Sequence, residues 1–393
     1  MLIILLVLCS FLIPLYFYKK DIIDQKYLIA LVIIIFVHHM FSLCIPITGD
    51  MYYFNNYAST GYSLSNFNMN NAYNISIVYA YFYDIQNSIF VGNSLSIIGY
   101  TFAMIFLSKL MDIFSFSPVK KVYTLLITSM IPISIYYQSS VLRESWMLCF
   151  FIVAIYCLLM HYSTNNKKYI ILSLFFAFLL TTLHFKSAVF YLLFIYIFYL
   201  IFFLGKYIKI DVACLILLFV VITIFSVISL DYLLDFISND KSINIYDFLS
   251  NHMHKNVLYQ LEVETSTSYV VISDVNADPI VLMVKNYFRY LFAPYPTDMF
   301  NKDIVSICFG ILGILRLYMF VAILVAWKNS VGVLRKEHRV LMYLLLISLI
   351  SVTFVFSLGT GNFGTAIRHW DLSWWILCLL FVYTRKKIIC LKK

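Results

Sequence analysis

The sequence predicts an all-α, polytopic integral membrane protein with about eleven transmembrane helices, and three observations carry that prediction. Hydrophobic residues make up 63% of the 393-residue chain and charged residues only 12%, against about 25% charged in soluble domains. Apolar runs recur at lengths near the ~20 residues that cross a bilayer. The basic residues are also unevenly placed. Eighteen of the 28 Lys and Arg fall in one alternating set of six inter-span loops, the asymmetry expected of cytoplasmic loops.

Taken in order, the expected spans are 1–18, 27–47, 94–113, 121–138, 144–162, 169–184, 187–204, 211–230, 303–327, 340–358 and 370–384. The first lacks a basic leading segment, and Val7-Leu8-Cys9 lacks small residues for processing, so it reads as a retained span. The loops with Lys19, Lys20 and Lys26, then Lys120 and Lys121, Lys167 and Lys168, Lys206 and Lys209, Lys328 to Arg339, and Arg385 to Lys393 form the basic set. The expected topology is therefore N-terminus outside and C-terminus in the cytoplasm, with residues 1–393 as a single membrane domain.

Two external loops are long. Residues 48–93 contain Asp50 and Asp84, no Lys or Arg, and many Tyr and Asn. Residues 231–302 are long enough for a small cap. Within them Thr267–Ser273 reads as extended, and Pro279–Phe292 reads as an amphipathic helix bounded by Pro279 and Pro294. Lys285 and Arg289, four apart, share a face of that helix.

The net charge of +9 comes mainly from cytoplasmic anchors and does not argue for nucleic acid. None of the eight Cys is placed for a disulfide in an external loop, and no Cys/His spacing suits zinc, so no metal and no cofactor are expected. Charges within spans are few, chiefly Lys109, Asp112 and Arg316.

Four external spots stand out, while Lys241, Lys255 and Lys302 lie in a loop too long for the charge rule and Lys285 reads as a membrane-surface contact. Ser139-Ser140-Val141-Leu142-Arg143-Glu144 opens a span, where Ser139 or Ser140 can cap the helix. Helix N–H groups and Arg143 could bind an anion together; a surface Arg143–Glu144 pair is the alternative. His184 and Lys186 share a tight turn, with Lys186 otherwise a lipid-phosphate contact. Arg289 precedes Tyr290-Leu291-Phe292-Ala293-Pro294. Gly359-Thr360-Gly361-Asn362-Phe363-Gly364-Thr365-Ala366-Ile367-Arg368-His369 reads as a flexible loop able to form an anion nest. A turn anchored by interfacial Trp370, Trp374 and Trp375 is the alternative there. Arg143, Arg289, Arg368 and, less centrally, Lys186 would ring the outer mouth as a diphosphate site. The Tyr/Asn-rich first loop suits sugars.

The chain resembles the Wzy-type O-antigen or capsular polysaccharide repeat-unit polymerases in its polytopic architecture and large external loop in the second half. It also resembles them at Leu142-Arg143-Glu144, Arg289–Pro294 and Gly361–Arg368. The resemblance implies a GT-C-like bundle in the bacterial inner membrane, with a periplasmic N-terminus. It implies a metal-independent glycosyltransferase that joins undecaprenyl-diphosphate-linked oligosaccharides on the periplasmic face. The lipid bilayer, a chain-length regulator and a flippase would be its partners. Glu144, His369, His184 and Asp50 are the candidate bases for the attacking sugar hydroxyl, with Glu144 favoured because a carboxylate at a membrane mouth is costly without a role. A ligase that transfers finished glycan, a flippase of lipid-linked sugars, and an O-acyltransferase centred on His38 or His39 are the rival readings.

Overall fold

The computed structural model describes residues 1–47, 49–69, 71–205, 278–292, 304–330, 336–360 and 363–390. The expected span 211–230, the extended stretch Thr267–Ser273 and most of the second long loop lie outside the described residues. Among the described residues the chain is all-helical, without a strand. It divides into two compact units, Met1–Val189 with Arg385–Lys393, and Phe190–Thr384.

The helices are α1 (Leu2–Lys19), α2 (Gln25–Ser42), α3 (Asp50–Ser59), α4 (Ile75–Tyr83), α5 (Ile89–Ile113), α6 (Pro118–Ser129), α7 (Pro132–Gln138), α8 (Glu144–Thr164), α9 (Lys167–Leu183), α10 (Phe185–Leu204), α11 (Pro279–Phe292), α12 (Ile304–Ser330), α13 (Lys336–Gly359) and α14 (Phe363–Cys390). Among the described residues, seven helices are long and apolar enough to cross a membrane: α1, α2, α5, α8, α10, α12 and α13. They coincide with seven of the eleven expected spans.

Proline explains one departure. Residues 121–138, expected as one span, form α6 and α7, each opening on a proline. Ile131, before Pro132, is extended (φ −74°, ψ 143°), because the proline ring disfavours helical backbone in the residue ahead of it. Neither piece has the length of a span. Helix α9 has 17 residues and presents Ile171, Leu174, Phe175 and Phe178 outward. The first long loop is itself folded. It holds α3, a 3₁₀ turn at Leu64–Asn66 and α4, and α5 begins at Ile89, capped by Ser88.

In the first unit α5 packs on α8 and α1, and α8 on α9. Glycine makes the α5–α8 approach possible. A Cβ on Gly99 would stand 2.9 Å from the Trp146 ring, and one on Gly92 would overlap Val141. Some polar groups inside the unit pair across helices. The Tyr27 hydroxyl donates to Met104 O (2.6 Å), and Ser173 to Ala154 O (2.8 Å). The N-terminus of α2 is capped by Asp24, which accepts from Tyr27 N (3.0 Å).

In the second unit α11 packs on α12 and α13. Its outer side is apolar, and its inner side mixes apolar Leu282, Tyr290 and Leu291 with polar residues. Ile280, Val281, Val284 and Phe288 are exposed, whereas Asn286 and Arg289 are buried. Such a helix suits a protein whose outside is hydrocarbon and whose inside holds the polar groups.

Candidate functional site

The first unit gathers its candidate residues where α8 begins and α9 ends. The two serines expected to cap α8 do not. Ser139 Oγ is 2.9 Å from His38 Nδ1, and Ser140 Oγ donates to Tyr136 O (2.5 Å). Arg143 takes the N-cap position instead, with no side-chain cap bond. The N-cap side chain thus makes no bond to the first backbone N–H groups of α8, and Glu144 in the first turn complements the helix dipole.

The Arg143–Glu144 pair is not on the surface. Arg143 is 8% exposed and Glu144 6%, with Nε 3.8 Å from Oε1. Arg143 Nη1 donates to Ala72 O (3.0 Å) and Leu183 O (3.1 Å). Asn74, from the same segment as Ala72, donates to Thr182 O (2.7 Å) and Asn68 O (2.8 Å). Side chains thus bind the last carbonyls of α9. Because α10 starts at Phe185, a single residue, His184, separates the two helices; it is half-buried, with φ −154° and ψ 68°. Lys186 lies in the first turn of α10. Arg143, Glu144 and the backbone of His184 are therefore brought together.

The segment above them carries an aromatic cluster. Tyr57 stands 4.9 Å from Tyr73 and 5.1 Å from Tyr62 between ring centroids, and Tyr53 stands 6.3 Å from Tyr73. Tyr52 and Tyr53 are exposed. Asp50 opens α3 behind Gly49 (φ 51°) and is exposed. Below the cluster the buried Tyr79 hydroxyl contacts Ser96 Oγ (2.9 Å) and donates to Leu142 O (2.8 Å). This fixes the backbone next to Arg143. Burial pushes the Tyr79 phenol well above its ordinary value.

In the second unit Arg289 is 7% exposed, and its Nη1 is 3.5 Å from Asn286 Oδ1, one turn back. Helix α13 runs through Gly359 and α14 begins at Phe363, earlier than expected, so Gly364 through His369 are helical. Gly361 and Asn362 lie outside the described residues. Arg368 and His369 stand in the second turn of α14, both half-buried, and the His369 ring stacks on Phe356 at 4.1 Å. The three tryptophans do not form an interfacial belt, since Trp370, Trp374 and Trp375 are all buried. Trp370 Nε1 donates to Tyr290 O (2.6 Å) and ties α14 to α11. Arg289 and Arg368 belong to this unit and Arg143 to the first.

No protein-family model, no curated protein and no solved structure matches this chain.

Among the described residues no group of three His, Cys, Asp or Glu could hold a metal ion. The available chemistry is that of guanidinium groups, a buried carboxylate, two half-buried imidazoles and phenols. Guanidinium groups suit phosphate oxygens. Sequence reasoning missed the His38–Ser139 contact, which joins residues 101 apart, and it treated Arg316 as an in-span charge without a setting. The signal for Arg316 was available: an ionisable residue inside a span marks a polar interior.

Proposed function

We propose that this chain is a membrane glycosyltransferase that polymerises undecaprenyl-diphosphate-linked oligosaccharide repeat units, on the periplasmic side of a bacterial inner membrane. The observation that carries the reading is Arg143. It is buried at the uncapped start of α8, held by two backbone carbonyls, with Glu144 at its side and the tyrosine cluster on the adjoining segment.

In this reading the acceptor sugar hydroxyl attacks the anomeric carbon of the donor. The bond from that carbon to the diphosphate oxygen breaks, and the diphosphate leaves with the electron pair. The charge on the leaving group falls to guanidinium groups: Arg143, with Lys186 in the same unit, is the leading candidate, and Arg289 with Arg368 in the second unit is a separate one. The hydroxyl proton goes to a base, with Glu144 ahead of His369, His184 and Asp50. Tyr52, Tyr53, Tyr57, Tyr62 and Tyr73 offer ring faces, and the neighbouring Asn residues offer amides, to the sugars of the repeat unit.

Glycan ladders in the source strain test the proposal. Deleting the chain should leave single repeat units attached to their final acceptor, and Arg143→Lys, Arg289→Ala and Arg368→Ala should each shorten or abolish the ladder at normal expression. Ladders of full length from all three variants would refute it. A deletion that leaves no attached glycan at all would identify a ligase instead.

A further inference from the structure

Arg316 stands in α12, six residues into the apolar stretch Gly310–Trp327, roughly 9 Å along the helix axis. It is 2% exposed. Its guanidinium lies over the Trp370 ring, 4.2 Å from the centroid, and Nη2 donates to Ser373 Oγ (3.2 Å). Nη1 is buried with no hydrogen-bond partner among the described residues. No ion pair forms at this guanidinium among the described residues either.

A second donor in the same unit is also left over. Tyr290 is fully buried, and its hydroxyl has no hydrogen-bond partner among the described residues. Its backbone carbonyl is bonded to Trp370, and its ring meets Trp370 edge-on at 6.4 Å. Burial pushes the Tyr290 phenol up, and the nearby Arg316 charge opposes that rise. The phenol therefore stays protonated near neutral pH and is a donor.

A ring face and one serine oxygen compensate a buried cation less fully than an anion does. Two unmet donors beside an uncompensated positive charge call for an acceptor that is itself negative. The outer side of α12 at this level is apolar and exposed, at Ile311, Ile314, Leu317 and Tyr318. An anion reaching this depth is best carried on a hydrocarbon chain.

We propose that Arg316 and Tyr290 form a buried oxyanion site in the second unit that takes the phosphate of a lipid. Trp370 and Ser373 position the guanidinium, and Nη1 and the phenol are the donors offered to phosphate oxygens. The site does not depend on the proposed polymerase activity, because its readout is binding.

The test uses the full chain in maltoside micelles and phosphate-free buffer. Phosphatidylglycerol, a polyprenyl diphosphate and inorganic diphosphate are titrated separately and read by thermal stabilisation and by native mass spectrometry. One or both lipid probes should bind more tightly than inorganic diphosphate, and the preferred one shows whether the source is a membrane phospholipid or a lipid-linked substrate. Arg316→Gln should weaken that probe about tenfold or more, and Tyr290→Phe severalfold. Unchanged affinity in Tyr290→Phe, a variant that removes one oxygen and keeps the ring, would overturn the proposal. So would equal binding by Arg316→Gln, or a lack of preference for the lipid probes over inorganic diphosphate.

Discussion

Replacing Arg143 by Met separates a structural tether from a pure substrate ligand. The substitution removes two hydrogen bonds from a charged donor, to Ala72 O and Leu183 O, each worth about 1.5–3 kcal/mol. It also leaves the buried Glu144 carboxylate without the cation 3.8 Å away. Breaking a buried pair from one side costs about 3–5 kcal/mol. These contributions overlap, so the expected loss of stability is about 3–5 kcal/mol rather than their sum. Denaturant unfolding of the purified protein in detergent measures it, in a cycle of Arg143→Met, Glu144→Gln and the double variant. The double variant should regain part of the loss, because a neutral side chain at 144 no longer needs the charge. A single Arg143→Met variant within about 1 kcal/mol of the wild type would refute the tether. Arg143 would then have to be explained by ligand binding alone.

Gly99→Ala should destabilise the first unit by about 1–3 kcal/mol through overpacking, since the added methyl meets the Trp146 ring at 2.9 Å; unfolding midpoints measure this. Asp24→Ala removes the cap of α2 and should cost about 1 kcal/mol in the same assay. Tyr79→Phe should cost about 1 kcal/mol by removing the hydroxyl that binds Leu142 O. Tyr79, Tyr83 and Tyr290 all have phenols raised by burial. The folded state keeps these protons after the unfolded chain loses them, so stability should hold below about pH 10 and fall as pH rises above it. Unfolding free energies measured between pH 8 and pH 11, about a unit apart, would show the decline.

Helix positions that depend on local signals were legible in the sequence. Pro279 and the stop after Phe292 bound α11 where the structure has it, and the break at His184 is where a change of direction was expected. Local reading failed where a residue's partner is distant in the chain. Ser139 and Ser140 look like helix caps, but one meets His38 and the other the preceding turn. Arg143 looks like half of a surface pair until Ala72 and Leu183 arrive from 71 and 40 residues away. Composition misled twice. The apolar character of 121–138 hid the interruption at Pro132, and the three glycines near 361 suggested a longer loop than α14 leaves. Glycine lowers helix propensity by only about 1 kcal/mol, which burial of the following Trp-rich turns can exceed.

The ties at the end of α9 also set an order of events during synthesis. Arg143 emerges from the ribosome after Ala72 and before Leu183, so it enters the bilayer with one of its two carbonyls present and the other still to be made. Asn74 waits longer still, for Thr182, 108 residues downstream. A nascent chain that stops short of α9 therefore holds a half-bound arginine and a half-bound asparagine in an apolar setting. These ties can form only once α9 has been made, so α9 completes the corner that Arg143 and Asn74 begin.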